Sequence, residues 1–141
     1  MADTPTVPGA TDPGAQSAVI LVVEDNVINQ KVAVGLLKRL GYHSEVAESG
    51  AKALEVIGQR QYAMVLMDCQ MPEMDGLETT RRLRSREPAG THIPIVAMTG
   101  MVGSDDLRRC LEAGMDDYLT KPILIDQLRA VLARWLGAHG G

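Results

Sequence analysis

Residues 63–68, AMVLMD, decide the fold class of this 141-residue chain. Five consecutive apolar residues predict a strand buried on both faces, as in a parallel sheet that is covered by helices. Asp68 ends the run, and the Pro and Gly of residues 69–76 predict a loop. The carboxyl ends of strands form the edge at which open α/β sheets bind ligands. The stretch therefore predicts an α/β fold with an acid at its functional edge.

An apolar run followed by a helical segment recurs along the chain. We predict strands at residues 19–23, 43–47, 63–67, 93–98 and 117–120. We predict helices at residues 26–40, 49–59, 77–86 and 104–113, and a last helix with an apolar stripe of Leu124, Leu128, Val131, Leu132 and Trp135. Strands that alternate with helices predict a doubly wound parallel sheet. Right-handed crossovers bring the carboxyl ends of all strands to one edge.

Local signals mark the ends and faces of the predicted helices. Ser49 and Ser104 are expected to be N-caps, and Gly41 and Gly114 to end helices. The spacing of four residues predicts the first helix, with its apolar positions at Ile28, Val32, Leu36 and Leu40. A solvated helix face is expected for Arg81, Arg82, Arg84 and Arg86.

Composition narrows the class of protein. The chain is 45% hydrophobic and 23% charged, which suits one soluble domain. A net charge of -4 and three Tyr, one Trp and no Phe disfavour nucleic-acid binding. No apolar stretch reaches the roughly 20 residues of a membrane helix, and no signal peptide is evident. The two cysteines are expected to be reduced thiols of a cytoplasmic protein.

The ends of the chain differ from its middle. Residues 1–17 contain three prolines and little that is apolar, and we expect a disordered tail or linker there. Residues 18–136 are the predicted domain, and residues 137–141 a frayed C-terminus.

Polar side chains end four of the predicted strands. They are Glu24, Asp25, Asp68, Thr99 and Lys121. Three carboxylates at one edge repel one another, by about 4 kcal/mol per pair at 4 Å and an effective dielectric of about 20. Such a cluster must take up protons or a cation, and oxygen ligands at an open edge favour Mg²⁺. With Lys121 and Thr99 to hold phosphoryl oxygens, Asp68 is a candidate nucleophile that forms an acyl phosphate.

Four motifs carry a resemblance to a known family. They are LVVEDN at residues 21–26, MDCQMPEMDG at 67–76, AMTG at 97–100 and DDYLTKPI at 116–123. In residues 18–136 the chain resembles the receiver domains of response regulators in two-component signalling. The resemblance implies a flavodoxin-like (βα)5 fold with strand order 2-1-3-4-5, a topology that receiver domains share.

The resemblance also implies roles for individual residues. Asp68 would accept a phosphoryl group from phosphohistidine, while Asp25, Asp68, the backbone carbonyl of Gln70 and, through water, Glu24 would hold Mg²⁺. Thr99 and Lys121 would hold the phosphoryl oxygens. Tyr118 would be an aromatic switch that turns inward as Thr99 moves. The bond from Lys121 to Pro122 would be cis.

Details of the first two motifs most resemble receivers attached to hybrid sensor histidine kinases. The implied donor is a histidine kinase or a histidine phosphotransfer domain. The implied function is a conformational switch in a phosphorelay rather than an enzyme, with at most slow self-phosphorylation and dephosphorylation. We expect a monomer without direct contact to nucleic acid or membrane.

Three alternative functions differ from the phosphoacceptor in the residues that they require. A phosphatase of the haloacid-dehalogenase type needs a second Asp two residues after the nucleophile, where this chain has Gln70. A flavodoxin-like binding module needs a Ser/Thr/Gly-rich loop after the first strand, where acids would repel a phosphate. A scaffold without phosphotransfer has no need of the complete set of acids, Thr99 and Lys121.

Overall fold

A computed structural model describes residues 19–69, 75–100 and 103–137. Five strands and five helices alternate along these residues. The strands are β1 (Val19–Val23), β2 (His43–Ala47), β3 (Met64–Asp68), β4 (Ile95–Thr99) and β5 (Asp117–Thr120). The helices are α1 (Val27–Arg39), α2 (Gly50–Ile57), α3 (Gly76–Arg86), α4 (Ser104–Ala113) and α5 (Ile125–Leu136).

The five strands form one parallel sheet in the order β2-β1-β3-β4-β5. This confirms the predicted strand order 2-1-3-4-5. Every crossover passes through a helix, so all carboxyl ends of the strands lie along the same edge. Asp68 pairs in register with Met98, and Thr99 with Thr120, which aligns three strand ends there.

Two hydrophobic layers cover the faces of the sheet. Leu21 and Val65 pack on one side against α2, α3 and α4, while Ile20 and Leu66 pack on the other against α1 and α5. Successive side chains of a strand point to opposite faces, so a strand with helices on both sides must be apolar throughout. All five residues of β1, β3 and β4 are buried, which explains their unbroken apolar runs.

Some element boundaries differ from the prediction. Asp68 is the last residue of β3 rather than the first residue after it. Strand β4 begins at Ile95, not at Ile93, and Pro94 before it has no N–H to donate to a ladder. Asn26 and Ser49 cap α1 and α2 through side chains that accept from Asn29 N–H and Lys52 N–H, which confirms Ser49 as a cap.

Two predictions at helix starts are wrong. Gly103 is the N-cap of α4, so Ser104 is its first helical residue and not its cap. Leu124 is the N-cap of α5 and is exposed, so it does not belong to the buried stripe of Leu128, Val131 and Leu132. Both N-cap residues, Gly103 and Leu124, have an extended backbone.

Helix α1 buries only the second half of its predicted stripe, because Leu36 and Leu40 pack against the core whereas the earlier positions do not. Ala33 and Leu37 are buried, whereas Ile28 is 71% exposed and Val32 44% exposed. A helix turns 100° per residue, so a strict spacing of four drifts by about 40° at each step. The apolar residues at the start of α1 are therefore carried away from the sheet towards solvent.

Arg84 does not share a solvated face with the other arginines of α3. Its guanidinium donates to the carbonyl of Gly114, the carbonyl of Ile93 and the carboxylates of Glu87 and Asp116 at 2.8–2.9 Å. Its side chain is only 15% exposed. Arg84 therefore ties α3 to the end of α4 and to the starts of β4 and β5.

Residues 1–17, the predicted tail, lie outside the described residues, as do 138–141 of the predicted C-terminal end. Gly137 caps α5 at a φ of 84°. Within the described ranges, no helix combines the length and the apolar character that crossing a bilayer requires.

Candidate functional site

Three carboxylates meet at the carboxyl edge of the sheet. Oxygen atoms of Glu24, Asp25 and Asp68 all lie within 4.8 Å of one another. Glu24 and Asp68 are buried and Asp25 is exposed, so the cluster reaches from the protein interior to solvent. The sequence prediction that β1 and β3 bring these acids together agrees with this geometry.

Main-chain and side-chain contacts fix the acidic turn after β1. The backbone N–H of Glu24 donates to the carbonyl of Ala47 at 3.1 Å, which extends the pairing of β1 with β2. The side-chain amide of Gln30 donates to the carbonyl of Glu24 at 2.7 Å. The N–H of Asn26 donates to Oε2 of Glu24 at 3.2 Å. These bonds hold the Glu24 side chain beside Asp68 and leave Asp25 on the rim.

Lys121 supplies a positive charge to the site. Its Nζ lies 3.1 Å from Oδ1 of Asp68 and 3.1 Å from Oε1 of Glu24. Its backbone N–H donates to the carbonyl of Thr99 at 2.9 Å, which ties the segment after β5 to the end of β4. The peptide bond from Lys121 to Pro122 is cis. The ammonium group thus bridges the two buried carboxylates.

Burial and close charged neighbours shift the pKa values of Glu24 and Lys121. Burial and the neighbouring carboxylate of Asp68 raise the pKa of Glu24 above its usual range. Burial by itself would lower the pKa of Lys121, but its hydrogen bonds to Asp68 and Glu24 outweigh burial and raise it. Lys121 therefore remains charged and offsets part of the repulsion within the acidic cluster.

The donor set suits a hard divalent cation. All three clustered side chains offer carboxylate oxygens, and the exposed Asp25 leaves an open side at which water can complete the coordination. Mg²⁺ prefers oxygen ligands and keeps several waters, so the residues fit it better than Zn²⁺. Gln70, whose carbonyl the resemblance implies as a further ligand, lies outside the described residues.

The two residues with implied switch roles differ in burial. Thr99 ends β4 at the same edge as Asp68 and is buried. Tyr118 lies in β5, pairs in register with Ala97 and is 40% exposed. The structure therefore brings Thr99 to the edge of the site, while Tyr118 is partly exposed to solvent.

Sequence reasoning missed the close approach of Gly76 to the site. A Cβ atom at Gly76 would lie 2.3 Å from the carbonyl oxygen of Asp68, which no side chain can do. Asp75 caps α3 by accepting from the N–H of Glu78 at 2.9 Å. The Asp75-Gly76 pair is the sequence signal for this approach, but the prediction assigns it only to a loop.

A thiol pair lies directly beside the cluster. The Sγ of Cys69, the residue after Asp68, is 3.6 Å from the Sγ of Cys110 in α4. Burial and the neighbouring Cys110 raise the pKa of the Cys69 thiol well above its usual range. Both cysteines are free thiols.

Comparison with known proteins identifies the same family as the motifs. Residues 20–133 match the response regulator receiver domain family. The hybrid signal transduction protein dokA of Dictyostelium discoideum is 50% identical over 117 residues, which are 83% of this chain and 7% of that protein. The chain thus spans less than a tenth of the length of this curated relative.

Two similar solved structures are informative about receiver sites. The receiver domain of the sensor histidine kinase PA1611 from Pseudomonas aeruginosa, with a magnesium ion coordinated in its active-site cleft, has a TM-score of 0.78 and 39% identity. The match covers 86% of this chain and 99% of that one. The receiver domain of Ssk1 from Saccharomyces cerevisiae, in complex with the histidine phosphotransfer protein Ypd1, has a TM-score of 0.76 and 29% identity. That match covers 84% of this chain and 88% of the other.

Proposed function

Because the chain belongs to the response regulator receiver family, we propose that Asp68 is its phosphoacceptor. The observation that carries the proposal is the contact of the Lys121 ammonium with the carboxylate of Asp68, within a cluster of three acids at the edge of the sheet. An oxygen of Asp68 would attack the phosphorus of a phosphohistidine, forming a P–O bond as the P–N bond breaks. The leaving imidazole keeps the electron pair and takes up a proton from solvent.

The other residues of the cluster neutralise charge. Asp25, Asp68 and, through water, Glu24 would hold Mg²⁺ together with the backbone carbonyl of Gln70. The cation would offset the negative charge of the phosphoryl group. Lys121 is already charged and in contact with Asp68, so it needs only a small movement to bind a phosphoryl oxygen. Thr99, buried at the end of β4, would donate its hydroxyl to another.

Phosphorylation would be read out through a shift between two conformations. Thr99 would move towards the phosphoryl group, and the ring of Tyr118 would leave solvent for the space that Thr99 vacates. A 40% exposed ring has apolar area left to bury, which favours the inward state once space exists. The surface formed by α4, β5 and α5 would change as a result.

A phosphohistidine-bearing protein would dock on the exposed apolar start of α1. Val27, Ile28 and Val32 are 58%, 71% and 44% exposed. Helix α1 begins at Val27, which is two residues after Asp25. Apolar side chains that stand out of a helix beside the site suit a protein partner. A histidine kinase or a histidine phosphotransfer domain is the donor that this chemistry requires.

The chain would work as a signalling module rather than as an enzyme with turnover. The similarity to hybrid signalling proteins much longer than the chain supports a segment of a hybrid histidine kinase. Two free thiols are consistent with the reducing cytoplasm as its compartment.

Beryllofluoride, a phosphoryl analogue, tests the phosphoacceptor proposal. With Mg²⁺ it should quench or shift the fluorescence of Trp135, which lies on α5 and donates to Asp117 at the start of β5. Asp68→Asn should abolish the response, while Asp126→Asn, an exposed acid of α5, should keep it. An equal response in Asp68→Asn would contradict the proposal. Acetyl phosphate should add one phosphoryl group to the wild type, detected by intact mass.

A second comparison tests the docking surface. Ile28→Asp should slow transfer from a phosphohistidine donor at least about tenfold, because it places a charge in an apolar contact. It should leave phosphorylation by acetyl phosphate unchanged, since that small donor needs no docking. Equal loss with both donors would show that the substitution damages the site itself.

A further inference from the structure

Cys69 and Cys110 are 41 positions apart in sequence, yet their sulfur atoms are 3.6 Å apart. Cys69 follows the last residue of β3, and its N–H donates to the carbonyl of Met98 at 3.0 Å, which holds its backbone against β4. Cys110 lies in the second turn of α4 and is buried. A disulfide needs the sulfurs at about 2.05 Å, so they must approach by about 1.5 Å, within reach of side-chain rotation.

The thiol pair borders a cavity rather than solid core. A space of about 200 Å³ is lined by Cys69, Asp75, Leu77, Thr99, Asp106, Arg109 and Cys110. Cys69 is half-buried, whereas Cys110 is buried. The more exposed Cys69 is therefore expected to react first with a small reagent in this cavity, and Cys110, 3.6 Å away, is in position to react with the product.

We propose that Cys69 and Cys110 form a redox-sensitive pair, which a small-molecule disulfide oxidises to an intramolecular disulfide that links α4 to the end of β3. The pair carries no part of the proposed phosphotransfer. It is not assigned by the receiver motifs, in which the roles belong to acids, Thr99, Lys121 and Tyr118.

The reaction is a balanced exchange of two thiols for one disulfide. Because burial raises the pKa of Cys69, little thiolate is present at neutral pH and the exchange is slow. The sulfur of Cys69 loses its proton as it attacks one sulfur of the small disulfide, whose S–S bond breaks and whose leaving sulfur takes up that proton. The sulfur of Cys110 then attacks the Cys69 sulfur of the mixed disulfide and displaces the second small thiol, which takes the proton of Cys110. The protein loses two hydrogen atoms and two molecules of small thiol are formed.

The location of the bond gives it a consequence for the switch, and this part rests on the proposed function. Cys69 is the neighbour of Asp68, and α4 is part of the surface that we propose to change on phosphorylation. A covalent link between them restrains α4 relative to the site. We expect the oxidised chain to respond more weakly to beryllofluoride and Mg²⁺ than the reduced chain.

Oxidised glutathione tests the chemistry on the native full chain. The wild type should lose two hydrogen atoms by intact mass, remain monomeric on a non-reducing gel, and yield one peptide pair that joins Cys69 to Cys110. Cys110→Ser should instead retain a single glutathione on Cys69. The proposal would be overturned if the wild type carried two glutathione adducts or formed an intermolecular dimer. It would also be overturned if both thiols of the wild type stayed unchanged while Cys110→Ser was modified.

Stability and switching provide two further measurements. The closed loop of 41 residues should raise the urea midpoint of the oxidised wild type above that of the reduced form. After oxidant treatment, the double variant Cys69→Ser/Cys110→Ser should respond to beryllofluoride as the reduced wild type does. A disulfide that forms without weakening that response would overturn the regulatory part. A reduced chain that fails to respond would count against the phosphoacceptor instead, because the mass measurement does not depend on it.

Discussion

The Nζ atom of Lys121 lies 3.1 Å from Oδ1 of Asp68, across 53 positions of sequence. The contact joins the end of β3 to the segment after β5, and the Lys121 ammonium also meets Glu24 at 3.1 Å. One cation thus offsets the repulsion between two buried carboxylates before any metal or phosphoryl group is bound. The ion pairs of Lys121 are therefore already formed in the metal-free protein, and they should contribute to its stability.

Removal of that cation should destabilise the metal-free protein. Lys121→Met leaves Glu24 and Asp68 facing each other, and we expect a loss of about 1.5–3 kcal/mol, the range for hydrogen bonds to charged groups. Urea unfolding in the presence of a chelator measures it, and Mg²⁺ should restore part of the loss. Lys52→Met, which removes an exposed lysine of α2, should change the free energy of unfolding by less than about 0.5 kcal/mol. Equal stability of the two variants would refute the role of Lys121.

Loss of one acid should weaken magnesium binding. Asp25→Asn removes the exposed carboxylate of the cluster, and we expect the Mg²⁺ affinity to fall at least about tenfold, the size of effect that even outer-shell partners have. Calorimetric titration measures the affinity. Glu55→Gln makes the same change in net charge on the surface of α2 and should leave the affinity within a factor of about two. A similar fall in both variants would point to net charge rather than to coordination.

A methyl group at Gly76 should displace the backbone of Asp68 at the end of β3. Gly76→Ala forces a Cβ towards the carbonyl oxygen of Asp68, and overpacking of this kind costs about 1–3 kcal/mol. Gly35→Ala is the matched control, because Gly35 lies within α1 with nothing near its missing Cβ. It should stabilise the protein by about 0.5–1 kcal/mol. Thermal unfolding of both variants tests the opposite signs that we expect.

Arg84 and Arg82, two arginines of α3 that pair with acids, should differ sharply in their contribution to stability. Arg84→Met removes four hydrogen bonds and leaves the largely covered carboxylate of Asp116 without its guanidinium, for an expected loss of about 3 kcal/mol, the lower end of the range for breaking a buried pair. Arg82→Met removes only an exposed pair with Glu78 and should cost less than about 0.5 kcal/mol. Urea unfolding measures the free energy of unfolding of both variants. Comparable decreases in the two would contradict the buried role of Arg84.

Alkaline pH should destabilise the protein through Tyr62. Burial and the hydrogen bond to Glu45 raise the pKa of Tyr62 from 10.0 to about 12. Between these values the unfolded chain loses the phenol proton while the folded protein keeps it, so ionisation favours unfolding. The stabilising effect is fully present below pH 10 and is lost as pH rises towards 12. Tyr62→Phe should show a smaller loss of stability over that interval, and parallel stability curves for both proteins would contradict the shift.

The sequence was informative wherever a local pattern has one physical solution. Apolar runs that must be buried on both faces predicted β1, β3 and β4, and the acids and hydroxyl at their ends predicted which edge of the sheet would be functional. Four motifs in the right order predicted the family, and the match over residues 20–133 confirms it.

The sequence predicted that Asp68 and Lys121 share one edge of the sheet, but only the tertiary structure decided which atoms are in contact. Lys121 meets Asp68, Cys69 meets Cys110, and Arg84 binds acceptors of Ile93, Gly114 and Asp116; these partners are at least nine positions apart in sequence. Ile28 is exposed because positions four residues apart rotate around the axis of α1, and only the packing of the helix shows which of them face the sheet. Periodicity predicts elements because backbone geometry is local, whereas charge pairing and sulfur contact depend on how the crossovers stack those elements.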